Sequence, residues 1–315
     1  MFAAGAGVAA VGCVAFGRRT DRRWADGTDP SSPADRILPA GESLVVTTDD
    51  GASLAVTDAG SGPTVVLAHC WMGGRETWAP VAHRLLRSGH RVVLYDQRGH
   101  GSSTIGSDGL TIPRLGGDLR AVLEAVDARD AVLAGHSMGG MTIQSFAIHH
   151  PDGFTTRARA IVLVATSARG EGDTRAGRRT EATLERAWIE PLLTSSLGHG
   201  LVRGVFGEHV HRNDLVLTRD LVVACPPPVR AGWFSAMAGM DLVEGIATVS
   251  VPTTVMIGTR DTLTPPPRSD AIMAAIPGAE LQTLEGYGHM LPLEAPDIVA
   301  DTIRRHVPAR GDLRG

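Results

Sequence analysis

Short, largely apolar runs recur along this chain, separated by segments of helical periodicity, and that alternation restricts the fold more than any other feature. Thr64-Val65-Val66-Leu67-Ala68, Arg91-Val92-Val93-Leu94-Tyr95, Ala131-Val132-Leu133-Ala134, Ile161-Val162-Leu163-Val164 and Thr253-Thr254-Val255-Met256-Ile257 lack polar–apolar alternation. A strand of that kind buries both faces, as in the interior of a parallel sheet. Leu281-Gln282-Thr283-Leu284 reads as one more strand. Between the runs, Leu115, Leu119, Val122, Leu123 and Val126 share one face of a helix expected over residues 113–126. Further helices are expected near 78–87, from 138 to about 150, and near 296–306. Residues 44–47 and 53–58 read as short strands joined by the turn residues Asp49-Asp50-Gly51. The sum is an α/β fold: a mostly parallel, eight-stranded sheet with helices on both faces.

One interval breaks the rhythm. Residues 166–252 form a connection far longer than is usual between neighbouring strands. Helices are expected within it near 175–188, 192–206, 214–223 and 230–240. Such an insertion is read as a helical cap over the carboxyl edge of the sheet, where open α/β folds bind ligands. The expected organisation is a core over 43–166 and 251–309, a cap over 167–250, and an N-terminal apolar segment and linker over 1–42.

Composition removes several kinds of chemistry. The 30 basic residues are all arginine, so amine-dependent Schiff-base chemistry, pyridoxal phosphate attachment and the Walker phosphate loop are absent. A net charge of −4 supplies no basic field for nucleic acid, and no nucleic-acid partner is expected. Cys13, Cys70 and Cys225 are odd in number and far apart, which fits neither a disulfide framework nor a zinc site. Neither a metal nor a cofactor is expected. His149-His150 and His209-Val210-His211 lack a third ligand at zinc spacing and read as solvated faces.

Residues 1–17 carry no charge, and Arg18, Arg19, Arg22 and Arg23 follow at once. The run is shorter than the roughly 20 apolar residues of a spanning helix. It also lacks the basic start and clear cleavage site of a secretory signal. A weak membrane anchor with the arginines on the cytoplasmic side is the leading reading; a truncated signal and an unordered start are the alternatives. The expected location is cytoplasmic or membrane-associated, with secretion left open. Residues 26–39, rich in Pro, Ser and Asp, read as a linker.

Chemistry concentrates at Gly135-His136-Ser137-Met138-Gly139-Gly140, between an apolar strand and a helix. G-x-S-x-G is weak alone, but here the strand before and the helix after supply its context. A tight strand-to-helix turn lifts the serine hydroxyl off the sheet, and side chains at positions 135 and 139 would collide with their neighbours. A serine needs a base to take its proton and a carboxylate to orient that base. His289, in the glycine-rich loop Glu285-Gly286-Tyr287-Gly288-His289, follows the last strand. Asp261, in Gly258-Thr259-Arg260-Asp261, follows the strand before it, and both loops leave the same sheet edge as Ser137. Asp96 is an alternative acid.

With His69-Cys70-Trp71 after the third strand and Asp96-Gln97-Arg98-Gly99-His100-Gly101-Ser102 after the fourth, residues 44–306 resemble the α/β-hydrolase superfamily. The likeness is greatest to its capped, actinobacterial-type esterase and lipase-like members. The resemblance implies Ser137 as nucleophile, Asp261 as orienting acid, His289 as general base, and an oxyanion hole at the backbone N–H groups of Trp71 and Met138. Cys70 departs from the family's usual glycine, and its side chain is expected to crowd the oxyanion hole. Trp188, Trp233, Phe234, Met237 and Met240 read first as cap core, with Trp233, Phe234 and Met237 as candidates for the acyl pocket. The implied function is cleavage of a small-molecule carboxylic ester with an apolar acyl group through an acyl-enzyme. A thioesterase, a lactonase, a cofactor-free haloperoxidase-like perhydrolase or a non-catalytic binding protein on the same scaffold are the alternatives.

Overall fold

In the computed structural model, which describes residues 29–307 except 173, 187 and 188, the strands form one eight-stranded sheet. The strands are β1 (Glu42–Thr47), β2 (Ser53–Gly60), β3 (Thr64–Ala68), β4 (Arg91–Tyr95), β5 (Ala131–His136), β6 (Ala158–Val164), β7 (Thr253–Gly258) and β8 (Glu280–Leu284). Their spatial order is β1-β2-β4-β3-β5-β6-β7-β8. β2 pairs antiparallel with both β1 and β4, and every later pairing is parallel. The apolar runs owe their lack of alternation to burial on two sides. Val66, Ala68, Val93, Tyr95 and Leu133 point into one core, whereas Val65, Leu67, Val92, Leu94 and Val132 point into the other.

The helices are α1 (Ala79–Arg87), α2 (Ile112–Ala125), α3 (Met138–His149), α4 (Pro151–Arg157), α5 (Arg175–Leu184), α6 (Ile189–Thr194), α7 (Ser196–Arg203), α8 (Arg212–Ala224), α9 (Pro227–Ala238), α10 (Pro267–Ala275), α11 (Leu291–Glu294) and α12 (Pro296–Arg305). α2 and α3 cover one sheet face, and α1 and α12 cover the other. The insertion between β6 and β7 holds α5 to α9. The single helix expected over 192–206 is two helices. Ser195 caps the second, with its hydroxyl accepting from the Gly198 N–H and donating to the Leu192 carbonyl, and this local bonding interrupts the helix. α4 and α10 were not evident from spacing, because each is short and begins at proline.

Part of the expected linker is docked on the body. Arg36 donates to Asp214 on α8 at 2.6 Å and to Asp29, and Arg84 on α1 donates to the Pro30 carbonyl at 2.7 Å. The apolar segment 1–17 and Arg18, Arg19, Arg22 and Arg23 lie outside the described residues. Among the described residues, no helix is long and apolar enough to cross a membrane.

Candidate active site

The chain turns from β5 into α3 at Ser137, which takes φ 53° and ψ −114°, a left-handed backbone that is costly for any residue but glycine. The surroundings hold it there. The Ser137 N–H donates to the Val164 carbonyl at 2.9 Å, and the Ser137 carbonyl accepts from the Thr166 hydroxyl at 2.6 Å. A Cβ at Gly139 would lie 2.1 Å from the Ala68 carbonyl oxygen, and one at Gly135 would lie 2.3 Å from that of Gly139. Both positions therefore exclude a side chain if α3 is to sit this close to β3 and β5.

Asp261 lies just past β7 and His289 just past β8. His289 Nδ1 is 2.9 Å from Asp261 Oδ2, and both residues are buried. Asp261 is pinned on its other side: Oδ1 accepts from the N–H groups of Leu263 and Thr264, each at 2.8 Å, and Oδ2 accepts from the Thr264 hydroxyl. With Nδ1–H donating to the carboxylate, the His289 ring presents Nε2 as an acceptor. The His136 and His289 rings are 4.9 Å apart, and His136 Nε2 donates to the His289 carbonyl at 2.8 Å. Burial holds His136 neutral, its pKa pushed well below the usual imidazole value, so the histidine loop is packed against the residue preceding Ser137.

Asp96 has other partners. It accepts from the N–H groups of Arg75 and Ser102 and pairs with the Arg75 guanidinium at 3.2 Å, which braces the loop after β4. His69 accepts the Gln97 N–H on Nε2 and donates from Nδ1 to the Cys70 carbonyl at 2.7 Å. His100 accepts the Met72 N–H at 3.1 Å; burial and the neighbouring His69 push its pKa down to about 3, so it stays an acceptor. These bonds fold the loop after β3 so that the Trp71 N–H has no protein acceptor among the described residues. The same is true of the Met138 N–H, the first of α3. Two backbone donors are thus left available to a ligand.

Cys70 does not act as a free side chain at this edge. It packs with Val202, Phe206 and Met290, so the insertion's apolar cluster takes up the extra volume. Burial pushes its thiol up to about 12, as it does that of Cys225, so neither forms a thiolate near neutrality. In native protein at pH 8, the Cys70 and Cys225 peptides are expected to remain unmodified by iodoacetamide and to react fully only after denaturation. Rapid native alkylation at Cys70, read by peptide mapping, would contradict this burial.

One residue escaped the sequence reading. Glu294, on α11, is buried, and its carboxyl accepts from the N–H groups of Gly207 at 2.7 Å, Gly288 at 3.1 Å and Met290 at 3.0 Å. It joins the insertion to both sides of His289. The signal was a lone acid in the apolar stretch Met290-Leu291-Pro292-Leu293-Glu294-Ala295. Burial outweighs the three donors and raises its pKa from 4.5 to about 7. The folded state therefore holds this proton more tightly than the unfolded chain does. Its contribution to stability is complete below about pH 4.5 and is lost as pH rises through about 7. The Tm of wild type relative to Glu294→Gln is expected to fall across that window; a flat difference would refute the shift.

The pocket candidates occupy different places. Trp233 is fully buried in the core, and its indole donates to the Arg98 carbonyl at 3.2 Å. Phe234 lies 5.9 Å from the Trp71 ring, while Met237 is half-buried against the core. Trp188 lies outside the described residues. His209 stacks on Tyr287 at 4.2 Å, and among the described residues no group of three His, Cys, Asp or Glu side chains converges as metal ligands would.

The sequence profile of the alpha/beta hydrolase family matches residues 65–302. This chain belongs to that family. Over 268 residues it is 25% identical to a non-heme haloperoxidase of Rhodococcus erythropolis, covering 82% of this chain and 97% of that protein. It is 26% identical over 259 residues to 3-oxoadipate enol-lactonase 1 of Acinetobacter baylyi, covering 81% and 93%. An esterase from Exiguobacterium antarcticum shares the fold, with a TM-score of 0.75 at 21% identity, over 85% of this chain and 99% of that one. The family match and the likeness to the enol-lactonase support a hydrolase.

Proposed function

We propose that this hydrolase is a serine esterase that cleaves carboxylic esters through an acyl-enzyme intermediate. The observation that carries this reading is the pinned Asp261 carboxylate on His289 Nδ1, on loops that leave the same sheet edge as Ser137. His289 Nε2 takes the Ser137 proton as Oγ attacks the ester carbon. The oxyanion accepts from the Trp71 and Met138 N–H groups, a term worth about 3 kcal/mol per donor at the transition state. The alcohol leaves with the proton from His289. Water, deprotonated by the same base, then attacks the acyl carbon, and the acid is released as His289 returns that proton to the departing Ser137 Oγ. The helices α5 to α9 act as a cap, joined to the histidine loop through Glu294 and to the loop after β3 through Trp71.

A lactone is a cyclic ester, and the same steps open it with the alcohol retained on the product. The likeness to an enol-lactonase makes lactones a natural second class of substrate. The test is incubation of purified protein with short p-nitrophenyl esters, lactones and a fluorophosphonate probe. Hydrolysis with stoichiometric labelling of Ser137 is expected. Folded protein that neither labels nor hydrolyses any member of the panel would refute the reading.

A further inference from the structure

Four arginines are buried among the described residues, and one of them lacks adequate partners. Arg98 lies between Asp50 and Asp118, Arg36 between Asp29 and Asp214, and Arg84 on Asp297 and two backbone carbonyls. Arg230, on α9, is only 1% exposed, yet its Nε and Nη1 have no hydrogen-bond partner among the described residues. Its one ionic contact among the described residues is Nη2 to Glu190 Oε1, long at 3.4 Å, from a carboxylate that is itself 38% exposed. Burying a guanidinium with open donors is costly unless an anion completes it.

The position of Arg230 suggests whose anion that is. Its carbonyl accepts the Trp71 indole N–H at 3.2 Å, and Phe234, one helical turn on, packs against the Trp71 ring. Trp71 is the residue whose backbone N–H we assign to the oxyanion hole. Arg230 is thus carried by the helix whose main chain and next turn meet Trp71, the point at which the insertion approaches the reacting centre. A carboxylate suits the open donors, because its two oxygens accept from a planar, permanently charged fork.

We propose that Arg230 binds a carboxylate carried by the substrate, so that the preferred substrates are esters or lactones with a second, anionic group. The apolar surface of Trp71 and Phe234 accommodates the carbon chain between the two groups. This inference rests on the ester-hydrolase reading for its kinetic test, but its binding test does not.

Adipate, titrated into wild-type protein, is expected to raise the Tm, whereas uncharged adipamide is expected to leave it unchanged. In Arg230→Met the adipate effect is lost. The variant itself is expected to fold with an unchanged or higher Tm, because it removes an incompletely paired buried cation. For mono-p-nitrophenyl adipate against p-nitrophenyl hexanoate, the ratio of the two kcat/KM values is expected to fall at least about tenfold in the variant, chiefly through KM. Equal adipate stabilisation of wild type and variant, or an unchanged ratio, overturns the proposal. So does wild type that fails to distinguish adipate from adipamide, an outcome that decides even if the variant does not fold. Arg230-dependent adipate binding without hydrolysis of either ester would instead uphold the anion site and remove the esterase reading.

Discussion

Ser137→Ala is expected to lower kcat for ester hydrolysis by about six orders of magnitude and to abolish fluorophosphonate labelling. The hydroxyl is the only group at the turn that the proposed mechanism uses to bond the acyl carbon, and alanine offers no substitute. The Trp71 and Met138 N–H groups survive the change, so a residual acceleration over water of about 10³ to 10⁴ should remain. Stability should hardly move. Alanine tolerates φ 53° no worse than serine, and the contacts that hold the turn use the Ser137 backbone, not its side chain. Measurement needs a burst-free initial rate and intact-mass detection of the probe adduct. A variant within tenfold of wild type would show that the nucleophile lies elsewhere.

Asp261→Asn should cost about 10⁴ in kcat by a subtler route. Asp261 Oδ1 accepts two backbone N–H groups, so an asparagine must place its carbonyl oxygen there. Its NH2 group then replaces Oδ2, which faces His289 Nδ1 and the Thr264 hydroxyl. An amide donor opposite Nδ1 forces the other tautomer, with the proton on Nε2, and that nitrogen can no longer receive the Ser137 proton. The Thr264 hydroxyl can turn to accept from the amide, so folding should be nearly unaffected. Near-wild-type turnover in this variant, with a large loss in Asp96→Asn, would transfer the orienting role to Asp96. The hydrogen bonds of Asp96 argue against that transfer, since both its oxygens already face Arg75 and Ser102.

The strands and the serine turn were legible because their determinants are local. Val65 to Leu67 must bury successive side chains on opposite faces, and only a strand covered on both sides permits it. Gly135 and Gly139 are read from a five-residue pattern, and the backbone atoms that exclude a Cβ there belong to the same turn and the adjoining β3 end. The helix break at Ser195 was less legible, since a serine within a helical pattern signals a cap only when its neighbours adopt cap geometry. Trp233 and Phe234 are adjacent and chemically alike, but one enters the core while the other meets Trp71. Their composition carries no sign of that division.

The amino-acid sequence alone was enough to determine the α/β architecture, the turn at Ser137, and the sheet edge from which the Asp261 and His289 loops depart. Each follows from periodicity or from steric limits within a few residues. Only the tertiary structure decided which carboxylate meets His289, that Glu294 ties the histidine loop to Gly207, and that Arg230 is buried short of partners. Those outcomes depend on side chains brought together across long stretches of chain. There, the balance of desolvation against available partners sets whether a charge is quenched, shifted or held for a ligand.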